Sequence, residues 1–341
     1  MSRLRLATYN VEWFNALFDV RGRLLDDAEW SARYNISRAD QLAALGIVFT
    51  AMDADAIMVI EAPDTNGKRA TVKALENFAD TIGLRARRAL IGFPSPTEQE
   101  IALLYDPDRI TARHDPRGEA EGEAPRFDAT FRMDLDQDGT PEPIRFSKPP
   151  LELALTVNSR RLRMIGVHAK SKAPHGARDP DEAIRIAIEN RRKQLAECVW
   201  LRARVAAHLA AGDDLVVMGD FNDGPGLDEY EKLFGHSGVE VVMGVGCDPQ
   251  MRLFDPHADM ALDRRIGLQP TTARFWQVDQ ERWFEALLDF VMVSPGLLTH
   301  HAKWRIWHPL NDPTCLKTPE LREALLTASD HFPVTLDLDW P

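Results

Sequence analysis

The sequence predicts an α/β (α+β) fold, a four-layered sandwich of two packed mixed β-sheets flanked by helices. Three observations lead there. Short apolar runs such as Ala56-Ile57-Met58-Val59-Ile60 and Leu215-Val216-Val217-Met218 read as strands buried on both faces. Segments with a helical apolar stripe alternate with them. Units of strand, polar loop and helix occur in both halves of the chain, with a join near residue 150, which suggests two sheets face to face with helices outside. Residues 1–341 are read as one domain with an excursion at about 113–150.

The bulk properties narrow the class. The 341 residues are 44% hydrophobic and 28% charged, ordinary values for a globular protein able to bury a large core. No apolar run reaches the roughly 18 residues of a membrane span, and no secretory signal is visible. Cys198, Cys247 and Cys315 fit neither a disulfide framework nor a zinc spacing, so a reducing, cytoplasmic setting is expected. A net charge of -12 argues against tight, nonspecific binding of duplex nucleic acid. Residues 158–193 run the other way, with ten Lys or Arg against four Asp or Glu, which fits an anionic substrate met locally. No segment marks an obligate protein partner.

The elements follow in order. Leu4–Tyr9 is a strand with Asn10 at its end. Ser37 caps a helix to Met52, with Asp40 as capping partner and Leu42, Leu45, Val48 and Met52 inward. Ala56–Ile60 is a strand that ends at Glu61, a carboxylate costly to bury unless paired or bound to a cation. A helix spans about Arg69–Ile82 and stops at Gly83. Ile101–Tyr105 is a strand preceded by Glu98 and Glu100. Inside the excursion, Asp134-Leu135-Asp136-Gln137-Asp138-Gly139 resembles half of a calcium loop, but Arg145 stands where that loop needs a bidentate Glu. A hairpin between Phe131–Met133 and Ile144–Phe146 is the favoured reading, with weak structural calcium as the alternative.

Leu151–Val157 and Leu162–Val167 form an antiparallel hairpin that ends at His168, followed by Lys170 and Lys172. A long helix starts at Asp179-Pro180 and runs to about Ala211, with Ile184, Ile188, Leu195, Val199, Val205 and Leu209 inward. Arg191 shares that face, and either covers the core with its stem or reaches a polar cluster. Gly219 ends the strand at Leu215, and Asp220 and Asn222 follow at once. Residues 223–275 read as loop-rich. Leu287–Val293 is a strand with one acid inside it, Asp289, which demands a partner. Ser329-Asp330-His331 then leads into a last strand, Val334–Leu338.

The strand-end polar groups are Asn10, Glu61, His168, Asp220, Asn222, Asp289, Asp330 and His331. Cys is absent from the set and no Ser stands as an obvious nucleophile. Oxygen ligands of this kind suit Mg2+, Mn2+ or Ca2+ better than zinc or copper. Histidines and carboxylates beside a hard cation suit hydrolysis of a phosphate ester.

At these residues the chain resembles the endonuclease/exonuclease/phosphatase superfamily, which includes pancreatic-type deoxyribonucleases. The likeness lies at Asn10-Val11-Glu12-Trp13, Ile60-Glu61, His168-Ala169-Lys170-Ser171, Gly219-Asp220-Phe221-Asn222, Asp289-Phe290-Val291-Met292-Val293 and Ser329-Asp330-His331. The resemblance implies a magnesium-dependent phosphodiesterase or phosphatase. Glu61 would be the principal metal ligand, with Asn10 and Asp330 close to the ion. Asp220 and Asn222 would orient water and phosphate, Asp289 would hold the ring of His331, and His168 would contact the phosphate from the opposite side. Lys170 and Arg191 are further candidates for the phosphate, and Glu98 or Glu100 for orienting His168. Two departures from the pattern are Ile60, where many members have Gln, and Leu288, where Arg or Lys is common; both bear on substrate contacts. A nuclease is the leading expectation. The alternatives are a phosphomonoesterase, a phospholipase or a non-catalytic member, although Glu61, Asp220 and His331 are all present. Trp13, Trp276 and Trp283 either stack on substrate or fill the core.

Overall fold

The computed structural model describes residues 2–97, 99–119, 122, 124–134, 139–174, 176–225, 235–263, 269–277 and 281–341. The first half runs β1 (Ser2–Asn10), α1 (Arg38–Met52), β2 (Ala56–Pro63), α2 (Thr71–Ile82), β3 (Arg88–Ile91), β4 (Gln99–Tyr105) and β5 (Ile110–His114). A small hairpin of β6 (Phe131–Met133) and β7 (Glu142–Ile144) precedes β8 (Leu151–Val157), β9 (Arg160–His168), α3 (Pro180–Ala210) and β10 (Leu215–Asp220). Two short helices, α4 (Gly238–Met243) and α5 (Pro256–Leu262), lead to β11 (Ala273–Gln277), β12 (Arg282–Ala286), β13 (Asp289–Val293) and β14 (Lys303–Ile306). The chain closes with α6 (Pro313–Lys317), α7 (Pro319–Ala328) and β15 (Val334–Trp340).

The two main sheets have strand orders β14-β15-β1-β2-β4-β3 and β13-β10-β9-β8-β5. Both are mixed: β1 pairs parallel with β2 and β9 parallel with β10, while the other neighbours are antiparallel. Their inner faces meet through Leu4, Leu6, Met58, Ile60 and Leu103 on one side and Leu153, Met164, Val216, Met218 and Val291 on the other. A Cβ at Gly166 would strike Met58 and Ile101, so this close approach of the sheets requires glycine. Helices α1, α2 and α7 cover the outer face of the first sheet, and α3, α4 and α5 that of the second. The four-layered α/β sandwich is therefore present.

Several expectations need correction. The two sheets do not divide at residue 150, because β5 already belongs to the second sheet and β14 and β15 return to the first. Residues 223–275 contain α4, with a Ser237–Glu240 capping box, and α5, capped by Asp255. These helices are too short for periodicity to reveal. Ile184 is 52% exposed, so the inner face of α3 is not the apolar stripe predicted. The buried residues are Arg191, Gln194, Ala196, Glu197, Cys198, Trp200, Leu201, Arg204, Val205 and His208, so Arg191 does lie on the inner face. Burying that many polar groups demands partners, and Arg204 Nη1 meets both carboxylate oxygens of Glu152 at 2.9 and 3.0 Å. In the excursion, Phe131 pairs with Ile144, so β7 ends at Ile144 instead of beginning there. Asp136, Gln137 and Asp138 lie outside the described residues. Asp134 is described, and its Oδ2 accepts from Gly139 N at 2.9 Å.

Candidate active site

Strand register alone brings three of the expected groups into one row. His168 and Asp289 both pair with Asp220, so the ends of β9, β10 and β13 set the three residues side by side. Gly219 lies within β10 and does not end it. Its φ is 140°, and a Cβ there would collide with the Val167 carbonyl of β9. Asn222 follows at φ 49°, and its backbone N–H turns back onto Asp220 Oδ1 at 2.7 Å.

The first sheet presents its own row opposite. Asn10 closes β1 and pairs with Ile60 of β2. Glu61 is not beyond the end of β2 but inside it, at a bulge between Ile60 and Ala62 with φ 63°. The bulge re-aims the side chain, as bulges beside functional sites commonly do. Asp330 and His331 stand just before β15, whose Val334 pairs with Thr8 at the same end of β1. Ser329 ties these segments together: its Oγ donates to Asn10 O at 2.8 Å and accepts from the N–H groups of Glu12 and His331, each at 3.2 Å. A cross-sheet bond, Asn10 Nδ2 to Asp220 Oδ2 at 3.0 Å, joins the two rows.

His331 Nδ1 donates to Asp289 Oδ2 at 2.7 Å, and both side chains are buried. Burial alone would lower the His331 ring, but Asp289, with Asp220 and Asp330 behind it, holds it well above the usual imidazole range. Asp220 is pushed up to about 7 by burial, against the opposing charge of His331. His168 is held neutral, well below the usual imidazole value, by burial and by the cations of Lys148 and His331.

Lys148 was not anticipated from the sequence. Its Nζ lies 3.3 Å from His168 Nε2, and burial lowers it while Glu61 and Asp220 oppose. It sits in the Pro-flanked end of the excursion, without the apolar run that marks the other site residues. Gln194 is a second group the sequence did not reveal. Its amide reaches Lys170 O, Phe221 O and Asn222 O at 3.0, 3.1 and 2.9 Å, which clamps the loops after β9 and β10 together.

Two further candidates flank these groups, and the Lys170 charge bears on Lys148. Lys170 has its N–H on Glu197 Oε2 at 2.8 Å and its ammonium near Lys193 and Glu197. Arg191 lines a small pocket with Gln194, Asp223, His236 and Gly238. Glu100 Oε2 accepts from Ser95 N at 2.9 Å, and among the described residues no hydrogen bond or ion pair joins it to His168; Glu98 lies outside the described residues. Trp13, Trp276 and Trp283 are 46%, 48% and 55% exposed, so none of them is core.

The donor set fits a hard cation. Asn10 Oδ1 is buried without a partner. Burial raises the Glu61 carboxyl, and Asp330 adds to this while Lys148 opposes. Such a concentration of oxygen donors is what a divalent ion relieves. One ligand atom each of Asp220, Asp289 and His331 also falls within 4.8 Å of the others. There, however, Asp289 Oδ2 and the His331 Nδ1–H already serve each other, and Asp220 accepts from Asn10 and Asn222.

The profile of the endonuclease/exonuclease/phosphatase family matches residues 7–331. The chain belongs to this family. Its coarse activity is that of the family, hydrolysis of phosphate esters. No curated protein matches by sequence. Similar solved structures include TDP2 from Caenorhabditis elegans, at 13% identity and TM-score 0.52 over 99% of this chain and 74% of that one. A 3′-5′ exonuclease, NExo from Neisseria meningitidis, gives 15% and 0.52 over 99% and 100%. A 3′ phosphatase form of NExo from Neisseria, bound to a product DNA hairpin, gives 16% and 0.50 over 99% and 100%. At these identities the family member shares their fold. No helix among its described residues is long and apolar enough to cross a membrane.

Proposed function

We propose that the chain is a divalent-metal-dependent phosphodiesterase of the nuclease type. The observation that carries this reading is the buried Asp289–His331–Asp220 trio facing the oxygen row of Asn10, Glu61 and Asp330. Asn10, Glu61 and Asp330 would hold Mg2+, with Mn2+ or Ca2+ as substitutes, and the ion would offset charge on the phosphate oxygens. Asp220, oriented by Asn10 and Asn222, positions the attacking water and takes its proton. Water oxygen bonds to phosphorus as the bond to the leaving oxygen breaks, and the leaving oxygen takes a proton from solvent. His331, fixed by Asp289, stabilises the charge that develops on the phosphoryl oxygens. Neutral His168 and cationic Lys148 hold the opposite side of the phosphate.

The test is hydrolysis of bis-p-nitrophenyl phosphate with Mg2+, with chelator, and by His331→Ala. Equal turnover in all three would defeat the proposal. A panel of plasmid DNA, single-stranded DNA, RNA, 3′-phosphorylated DNA, sphingomyelin and inositol phosphates then assigns the substrate.

A further inference from the structure

The excursion builds a second feature beside the site. A groove of about 1410 Å³ lies between the β6–β7 hairpin and α3, and Arg132, Arg145, Arg192 and Lys193 line it against two acids, Glu142 and Glu189. Arg132, Arg145 and Arg192 are exposed. Among the described residues, neither Arg132 nor Arg192 makes a side-chain hydrogen bond or an ion pair. Four cations against two acids on a protein of net charge -12 are a local reversal of the field, and such reversals steer polyanions.

The groove is rigidly attached. Phe127, Phe131 and Phe146 from the excursion pack on Trp200 of α3, with ring centroids 5.8, 5.4 and 4.8 Å away. Arg204 Nη2 also donates to Ala124 O and Pro125 O at 2.7 and 3.1 Å. The groove runs into the site through one short stretch of chain. Arg145 lines it, Ser147 Oγ accepts from Lys193 Nζ at 2.7 Å, and Lys148 Nζ is 3.3 Å from His168 Nε2. Three residues span at most about 10 Å, so the edge of the groove lies within that reach of the site.

We propose that this groove binds the phosphates flanking the scissile one, and that its occupant is a nucleic-acid strand. The inference rests on the phosphodiesterase reading and adds what that reading lacks, a reason for a polymer over a small ester. Backbone cations of this kind set affinity and register without reading sequence.

The experiment compares the full chain with the R132A/R192A double variant on a single-stranded oligonucleotide and on bis-p-nitrophenyl phosphate. The ratio of kcat/KM for oligonucleotide to that for the small ester should fall about 10-fold in the variant. The slope of log affinity against log salt for the oligonucleotide should become shallower by about 1.4, the share of two phosphate contacts on a single strand. An unchanged ratio, an unchanged slope, or equal loss on both substrates overturns the groove. Cleavage of bis-p-nitrophenyl phosphate or sphingomyelin vesicles but of no polynucleotide overturns it and leaves the phosphodiesterase standing, whereas cleavage of inositol phosphates alone, which are monoesters, overturns both. Failure on every substrate removes both.

Discussion

Lys148 Nζ lies 3.3 Å from His168 Nε2, although the two residues come from an irregular excursion and from the end of a core strand. The ammonium can donate to the ring nitrogen only while the imidazole is neutral, and burial keeps it so. In Lys148→Met the site loses a cation facing the phosphate. We expect kcat on bis-p-nitrophenyl phosphate to fall about 100-fold, the scale of removing one charge-stabilising donor. The His168 ring should also titrate higher, by NMR, once the neighbouring charge is gone. Turnover within twofold of the parent would remove Lys148 from the machinery.

Asp289→Asn keeps the shape of the pair with His331 but replaces an acceptor by an amide that can present either end to Nδ1. The ring then loses its fixed tautomer and the charge that favours its protonated form. A drop in kcat of about 1000-fold with little change in melting temperature is the expected result. If kcat is preserved, the Asp289–His331 bond is structural only.

Glu61→Gln tests the cation site without relying on turnover. Calorimetric titration with Mg2+ should show affinity weakened by at least about 10-fold, since a neutral amide replaces the anionic oxygen. Asn10→Ala should weaken it in the same direction by a smaller factor. Unaltered Mg2+ affinity in Glu61→Gln would move the ion elsewhere.

Glu197, buried in α3 behind Lys170, offers a test in stability. Burial pushes its carboxyl up to about 7, against the N–H of Lys170. An acid whose folded value lies above its unfolded one binds more protons in the folded state. Stability therefore falls as pH rises from about 4.5 to about 7, by about 3 kcal/mol if the whole shift is expressed. Glu197→Gln should flatten that slope, and urea unfolding at several pH values reads it directly. Identical slopes for parent and variant would refute the assignment.

Arg204→Ala leaves Glu152 buried with its charge uncompensated and frees the carbonyls of Ala124 and Pro125. Loss of about 3–5 kcal/mol is expected from urea unfolding. A loss under 1 kcal/mol would mean that the pair contributes little to holding the excursion on α3.

The strands that frame the site were legible because burial on both faces leaves an uninterrupted apolar run, as at Ala56–Ile60 and Leu215–Met218, and any polar group at its end stands out. The same contrast exposed Asp289 within Leu287–Val293. Helix α1 was legible down to its cap: Ser37 Oγ accepts from Asp40 N at 3.1 Å. The edge strands β3, β5 and β14 were not, since nearly all their residues are partly or fully exposed and their patterns are short. The face of α3 was misjudged because Arg204 and Glu152 neutralise each other inside the protein, and a pattern of polar letters cannot show that a partner waits 52 residues away.

The sequence by itself determined which segments are the buried central strands, which polar groups lie at their ends and that these are oxygen and imidazole donors. Only the tertiary structure decided that Asn10 of one sheet bonds Asp220 of the other, that Glu61 turns inward on a bulge and that Lys148 enters from outside the core. Local letters encode the cost of burying a group, but the meeting of distant groups depends on sheet order and register. Those are set by how all the apolar faces pack at once.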